Sequence, residues 1–461
     1  MARPTARDTI KSCRREPGAG SREPGAFGLD DDSLLHAGEI VPSAIALSHQ
    51  EQYDRLATSC PPALPRAVVV GDPCIDQLRA GLPFRETYRR AFGLLPGQRL
   101  VVVSSTWGGG SILGSPHADA LHRTLAELPA DEFRVFAAVH PNSFYGHGPW
   151  QIHSWLAPLL DHGLLLPPPD SGAWKAALCA ADFLVGDHGS LTMYGAALGI
   201  PGLLGAFDES TVAPGSPMAA LGRLLPRLSP TRPVPHQLAA LAGQRDDPEL
   251  RAIGETVTSE PGRCAELLRR LFYDWLKLDE PRHPASVPAV PVPEDAPYTR
   301  RLPHTPPMFV DVRPADDGEV TVRRYPAPLQ RGHEPHLAAA HLAADRDDPD
   351  RRWPHSADVL LVPRGRTPTH PEDDPWSAFT AASTGCGLLA AETEDAGCLA
   401  LLPDGTRLRV TWRERPAWAS FPVAASAVYA WTLRNGTPRT ARIPVRAGDL
   451  PDRGVLDLAR S

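Results

Sequence analysis

Residues 181–201, ADFLVGDHGSLTMYGAALGIP, run from an apolar strand through a Gly-Asp-His-Gly-Ser turn directly into a helix. Gly186, Gly189 and Ser190 leave backbone N–H groups uncovered at the helix start. The helix dipole is positive there, and an anion such as a diphosphate can sit on it. The same residues also suit an ordinary strand-to-helix connection capped by Asp187 or Ser190. The company the turn keeps separates the two readings.

Upstream, short continuous apolar runs alternate with helical patterns. AVVVG at 67–71, RLVVVSS at 99–105, FRVFAAV at 133–139, GLLL at 163–166, DFLVG at 182–186 and GLLGA at 202–206 read as strands. Residues 75–93 and 117–128 read as helices. Continuous apolar strands joined by helices specify a parallel sheet covered on both faces, so the expected fold class is α/β with a doubly wound, Rossmann-like domain. In such sheets ligands bind beyond the carboxyl ends of the strands. Those ends here are Gly71-Asp72-Pro73, the run from Ser104 to Ser111, His140-Pro141-Asn142 and the turn from Asp187 to Ser190. All are expected on one rim.

The glycine loop at 108–110 lacks the Gly-x-x-x-x-Gly-Lys-[Ser/Thr] order, which disfavours a P-loop nucleotidase. Phosphate would then be held by backbone amides and hydroxyls. His140 suits either a buried structural role or a proton-handling one, since its ordinary pKa lies near neutrality. His147, His153 and His162 lack helical ligand spacing, and no metal site is expected.

Length and composition set the outer limits. The 461 residues imply two or three domains, 42% hydrophobic content supplies globular cores, and a net charge of −7 offers no attraction to nucleic acid or anionic lipid. Seven scattered cysteines without a Cys-x-x-Cys pair read as free thiols in a reducing compartment. Neither a signal peptide nor a membrane-spanning run is visible, so the expected location is the cytoplasm.

Residues 1–40, rich in Arg, Pro, Gly and Asp, are expected to be disordered. The Pro-rich stretch 276–335 reads as a linker. Beyond it, 336–461 reads as a β-rich α+β domain, with hairpins at Asp404-Gly405 and Asn435-Gly436 and some helix at 337–344 and 376–384. No chemistry is visible in this tail, which leaves it a role in contacting another protein.

In chain order, GDPCID (71–76), SSTWG (104–108), HPN (140–142) and GDHGS (186–190) followed by LGIP (198–201) resemble the nucleotide-binding C-terminal half of GT-B glycosyltransferase-like proteins. The nearer resemblance is to CDP-glycerol glycerophosphotransferases, the more distant one to UDP-N-acetylglucosamine 2-epimerases. It implies that residues 67–275 form the nucleotide-binding domain, and that 41–66 is a vestige of the facing N-terminal domain. The partner it implies is an activated nucleotide donor, CDP-glycerol or a nucleotide sugar. The donor-binding candidates are Ser104, Ser105, Thr106, Gly108, Asp187, His188, Gly189 and Ser190, and His140 is the catalytic candidate. No cofactor is implied.

Two departures stand out. Tyr194 occupies a position where the related transferases carry a carboxylate suited to ribose hydroxyls. About 65 residues precede Ala67, fewer than an acceptor-binding domain needs. Two readings follow: a glycosyl- or glycerophosphotransferase, or a catalytically inactive nucleotide-binding or interaction module.

Overall fold

The computed structural model describes residues 28–114, 119–296, 298–315, 318–332, 337–365 and 385–461. In the first part, β1 (Ile45–Leu47) leads through α1 (Gln50–Ser59) to β2 (Ala67–Val69), and the two strands pair in parallel as a small separate sheet. Then come α2 (Pro73–Gly81), α3 (Arg85–Ala91), β3 (Arg99–Ser105), α4 (Asp119–Glu127), β4 (Phe133–Val139), α5 (Pro141–His147) and α6 (Ala173–Ala180). β5 (Phe183–Gly186), α7 (Ser190–Ala197), β6 (Gly202–Leu204) and α8 (Pro248–Glu255) follow.

The central sheet has the order β4-β3-β5-β6 with every pair parallel. The chain moves outward from β3 to β4 and then returns to the other side of β3 for β5. The strand order therefore reverses between β3 and β5, where open α/β sheets form a crevice. Val101, Val103, Val135 and Val185 face one apolar layer, and Leu100, Val102, Phe136 and Leu184 the other, as expected of a sheet covered on both faces.

Several details differ from the sequence reading. The 67–71 strand joins β1 and not the central sheet. The 163–166 run makes only an isolated bridge, Phe136 to Leu165. The helix expected over 75–93 breaks at Gly81-Leu82-Pro83, because proline's missing N–H and fixed φ interrupt the ladder. Order sets in before Val41: Asp31–Leu34 is a short helix, and Leu34 packs with Ile45, Leu47 and Leu56.

The second part is a barrel. Its strands are β7 (Met308–Pro314), β8 (Val320–Pro326), β9 (His341–Asp345), β10 (Val359–Val362), β11 (Leu388–Glu392), β12 (Cys398–Leu401), β13 (Arg407–Glu414), β14 (Thr440–Ala447) and β15 (Arg453–Arg460). Among the described residues these nine close in the order β8-β14-β15-β13-β12-β11-β10-β9-β7. Helix α9 (Phe421–Asn435) contributes Phe421, Val423, Ala424, Ala427 and Val428 to the same apolar cluster as the strands.

Thus β7 and β8 fall within the stretch read as linker, and the rest of that stretch is partly docked. Val290 is buried, and the Tyr88 hydroxyl donates to its carbonyl at 2.6 Å. The Asp404-Gly405 hairpin forms between β12 and β13. Asn435-Gly436 instead ends α9, with Gly436 at φ 75°. His341–Asp345 is strand where helix was expected, and the helix expected at 376–384 lies outside the described residues. No described helix is long and apolar enough to cross a membrane.

Candidate functional site

The carboxyl ends of β3, β4 and β5 open into a cleft of about 340 Å³. Ser104, Ser105 and Thr106 enter it from β3, His140 from the end of β4, and Gly189 and Ser190 from the start of α7. The sequence placed these six on one rim, and the structure brings them into one crevice.

Asp187 organises that rim from behind. Its side chain is fully buried and accepts from the backbone N–H groups of Thr106 (2.8 Å), Gly189 (2.9 Å) and Ile112 (3.3 Å). Burial still holds its carboxyl above the usual carboxylate range. Thr192 adds a hydroxyl donation to the Asp187 carbonyl at 2.7 Å. Asp187 thus fixes the turn without facing the cleft. Gly108 and His188 do not line it either. The Gly108 carbonyl accepts from Ser111 as the loop folds back, and the His188 ring lies edge-on to Phe207.

What faces the cleft is a set of free donors. Gly189 offers no side-chain cap to α7, and the N–H groups of Ser190 and Leu191 have no partner among the described residues. The hydroxyls of Ser104, Thr106 and Ser190 are likewise uncommitted there, whereas Ser105 Oγ is held by the Leu113 N–H at 3.0 Å. Open amides at the positive end of a helix, flanked by hydroxyls, are the elements of an anion seat.

His140 caps α5: its Nδ1 accepts from the Asn142 N–H at 3.1 Å. The neutral ring therefore carries its proton on Nε2. Burial pulls its pKa below the ordinary histidine value, while the Asp187 carboxylate opposes that shift. Near pH 7 the ring is a neutral hydrogen-bond donor.

Apart from Tyr194, which the sequence had placed near the donor, the remaining wall was not foreseen from the sequence. Pro167, Pro168 and Pro169, Trp174 and Lys175 of α6, Cys74 of α2 and Tyr194 of α7 complete the lining. Lys175 Nζ donates to Gln77 Oε1 at 2.7 Å and lies 5.6 Å from the centre of the Trp174 ring. Among the described residues it is the only lysine or arginine lining the cleft. Its rarity was the available signal, since the chain has lysine only at positions 11, 175 and 277. Tyr194 stacks on Trp174 with ring centres 6.3 Å apart, and its hydroxyl donates to Asp72 Oδ2 at 3.0 Å.

No family model matches the chain, and no curated protein matches it in sequence. The likeness is to solved structures. A variant of the wall teichoic acid polymerase TagF is 15% identical with a TM-score of 0.37, over 51% of this chain and 58% of that one. A UDP-GlcNAc 2-epimerase from Neisseria meningitidis, bound to UDP-GlcNAc, is 14% identical with a TM-score of 0.31, over 50% and 61%. WaaG, a glycosyltransferase involved in lipopolysaccharide biosynthesis, is 14% identical with a TM-score of 0.29, over 53% and 65%. The chain spans less than two thirds of the length of each.

Proposed function

We propose that the cleft binds an activated nucleotide donor, CDP-glycerol or a nucleotide sugar, and that the protein transfers its glycerophosphate or glycosyl group to an acceptor hydroxyl in the cytoplasm. The observation that carries this reading is the convergence on one crevice of donors without a partner among the described residues, the Ser190 and Leu191 amides, the Ser104, Thr106 and Ser190 hydroxyls and His140 Nε2–H, joined by Lys175, whose ammonium gives one of its three protons to Gln77. Donor diphosphate would rest on the start of α7. As the bond to the leaving nucleotide breaks, charge grows on its phosphate oxygen, and donors already aimed there stabilise it without reorganising. His140 is the catalytic candidate, giving a hydrogen bond or its Nε2 proton to that oxygen.

A second reading, a binding module without turnover, is favoured by one observation: among the described residues no Asp or Glu lines the cleft, so none of them offers a carboxylate base to an acceptor hydroxyl. In that reading the barrel would contact a protein partner.

Calorimetric titration with CDP and UDP tests the shared core of both. Wild-type protein should bind at least one, and His140→Ala and Ser190→Ala should each weaken it about tenfold, the size of one hydrogen bond to a charged group. Unchanged affinity in both variants would overturn the site. Turnover of the bound donor, or its absence, separates the transferase from the module.

A further inference from the structure

We propose that Arg134 and His162 form a seat for one monatomic anion of halide size, such as chloride, in the seam where the barrel meets the parallel-sheet part. The site is separate from the cleft and does not depend on the donor-binding reading. Arg134 is the one charged residue in the apolar run FRVFAAV at 133–139. It stands at the amino end of β4, whereas His140 follows the carboxyl end, which puts about 20 Å of extended chain between them.

A guanidinium inside an apolar strand is costly unless a negative group meets it. Among the described residues none does: Arg134 Nε is shut off from solvent and makes no hydrogen bond. The carboxylate that acts on it, Asp131, is held instead by Arg324, through Nη2 at 2.7 Å and Nε at 3.0 Å. Two guanidiniums thus share one carboxylate, and the surplus positive charge falls to Arg134. Burial, followed by repulsion from Arg324, holds its pKa below the usual arginine range against the pull of Asp131. It is nonetheless charged at neutral pH.

A cavity of about 30 Å³ adjoins this group. Leu125 and Leu128 of α4 and Pro326 at the end of β8 help to wall it, and His162 is the other polar side chain that lines it. That space takes a single small ion and excludes a nucleotide or a sugar. His162 Nδ1 lies 2.6 Å from the Pro158 carbonyl oxygen, which can only accept, so Nδ1 carries the proton of the neutral ring. Nε2 is shut off from solvent, has no hydrogen-bond partner among the described residues, and in the neutral ring bears a lone pair. A lone pair repels an anion, whereas the Nε2–H of the charged ring binds one. Anion uptake therefore draws a proton onto His162. Burial pulls the ring's pKa below its ordinary value, the Pro158 carbonyl, Asp161 and Asp348 oppose that shift, and His304 adds to it. Halide affinity consequently rises as pH falls.

Thermal denaturation of the full chain at fixed ionic strength, with sodium gluconate replaced stepwise by sodium chloride, tests the seat alongside the width of the chloride NMR line. Wild-type protein should gain melting temperature along a saturating curve, because an ion bound to the folded state stabilises it, and should broaden the line. Both effects should be larger at about pH 6 than at about pH 8, where the imidazole is neutral. Arg134→Met keeps the apolar stem without the charge and should lose both. His162→Gln offers an N–H₂ at either pH, and should keep the chloride effect while losing its pH dependence. Each reading is a difference between two salts, so a variant that melts early still serves. Wild-type protein indifferent to chloride, as a site holding only water would be, overturns the proposal. A chloride effect that survives in Arg134→Met also overturns it by placing the ion elsewhere, and one of equal size at both pH values removes His162 from the seat.

Discussion

Asp187 joins two loops through one carboxylate: Oδ2 takes the Thr106 and Ile112 amides from the β3 side, and Oδ1 takes Gly189 from the β5 side. Asp187→Asn leaves one oxygen and turns an N–H₂ toward a backbone N–H. The mismatch should cost about 1–3 kcal/mol. Thermal denaturation should show a lower melting temperature, and nucleotide affinity should fall with it as Gly189 and Thr106 drift apart. Unaltered melting would show that this carboxylate is not the tie. At this scale the sequence was informative where position follows from chain direction. Ser104, Ser105, Thr106, His140, Gly189 and Ser190 each end an apolar strand or begin the helix after one, so their rim was readable. Asp187 was readable as belonging to the turn but not as buried behind it, because which way a turn carboxylate points depends on the facing loop. Trp174, Lys175 and Cys74 come from helices, and their approach to the cleft depends on packing that no local pattern encodes.

The element that positions the seat is α7, and it is held by close approach. A Cβ on Gly254 of α8 would lie 2.9 Å from the Ala196 carbonyl oxygen and from Ala197 Cα, both backbone atoms of α7. Gly254→Ala must therefore push two helices apart, at about 1–3 kcal/mol. Residues 196 and 197 lie at the far end of the helix whose first turn faces the cleft. The expected result is a lower melting temperature together with a several-fold loss of nucleotide affinity, although the substitution is remote from the cleft. Lost stability with undiminished affinity would show that α7 does not transmit the shift. Among elements, β3, β4 and β5 were legible because each is a continuous apolar run. Asn435-Gly436 was ambiguous in principle: the same dipeptide serves a hairpin turn and a helix C-terminus. The helix before it, α9, is buried at Val423, Ala424, Ala425, Ser426, Ala427, Val428 and Tyr429, so no polar face marked its period.

On the scale of the molecule, the two parts meet along β8. The Arg324 guanidinium holds Asp131 with Nη2 at 2.7 Å and Nε at 3.0 Å, its backbone N–H donates to the same carboxylate, and its carbonyl accepts from Ala130. Next to it Arg323 and Arg99 share Glu132. With the parts so joined, acid sensitivity in one bears on the other, and the barrel contains the sensitive group. His341 on β9 is buried against Tyr429, its Nε2 has no hydrogen-bond partner among the described residues, and burial pulls its pKa from 6.5 down to about 4. The unfolded chain takes up a proton at this residue below pH 6.5, the folded barrel only below about pH 4. Between those values the unfolded state binds more protons, so the contribution is fully present above pH 6.5 and is lost as pH falls toward 4. The total loss is about 3 kcal/mol. Urea denaturation monitored through the pH range should show the barrel weakening over this window in wild type, whereas His341→Leu removes the titrating group and should flatten that part of the curve. Parallel wild-type and variant profiles between pH 6.5 and 4 would place the acid sensitivity in other groups, since no other residue changes between the two chains.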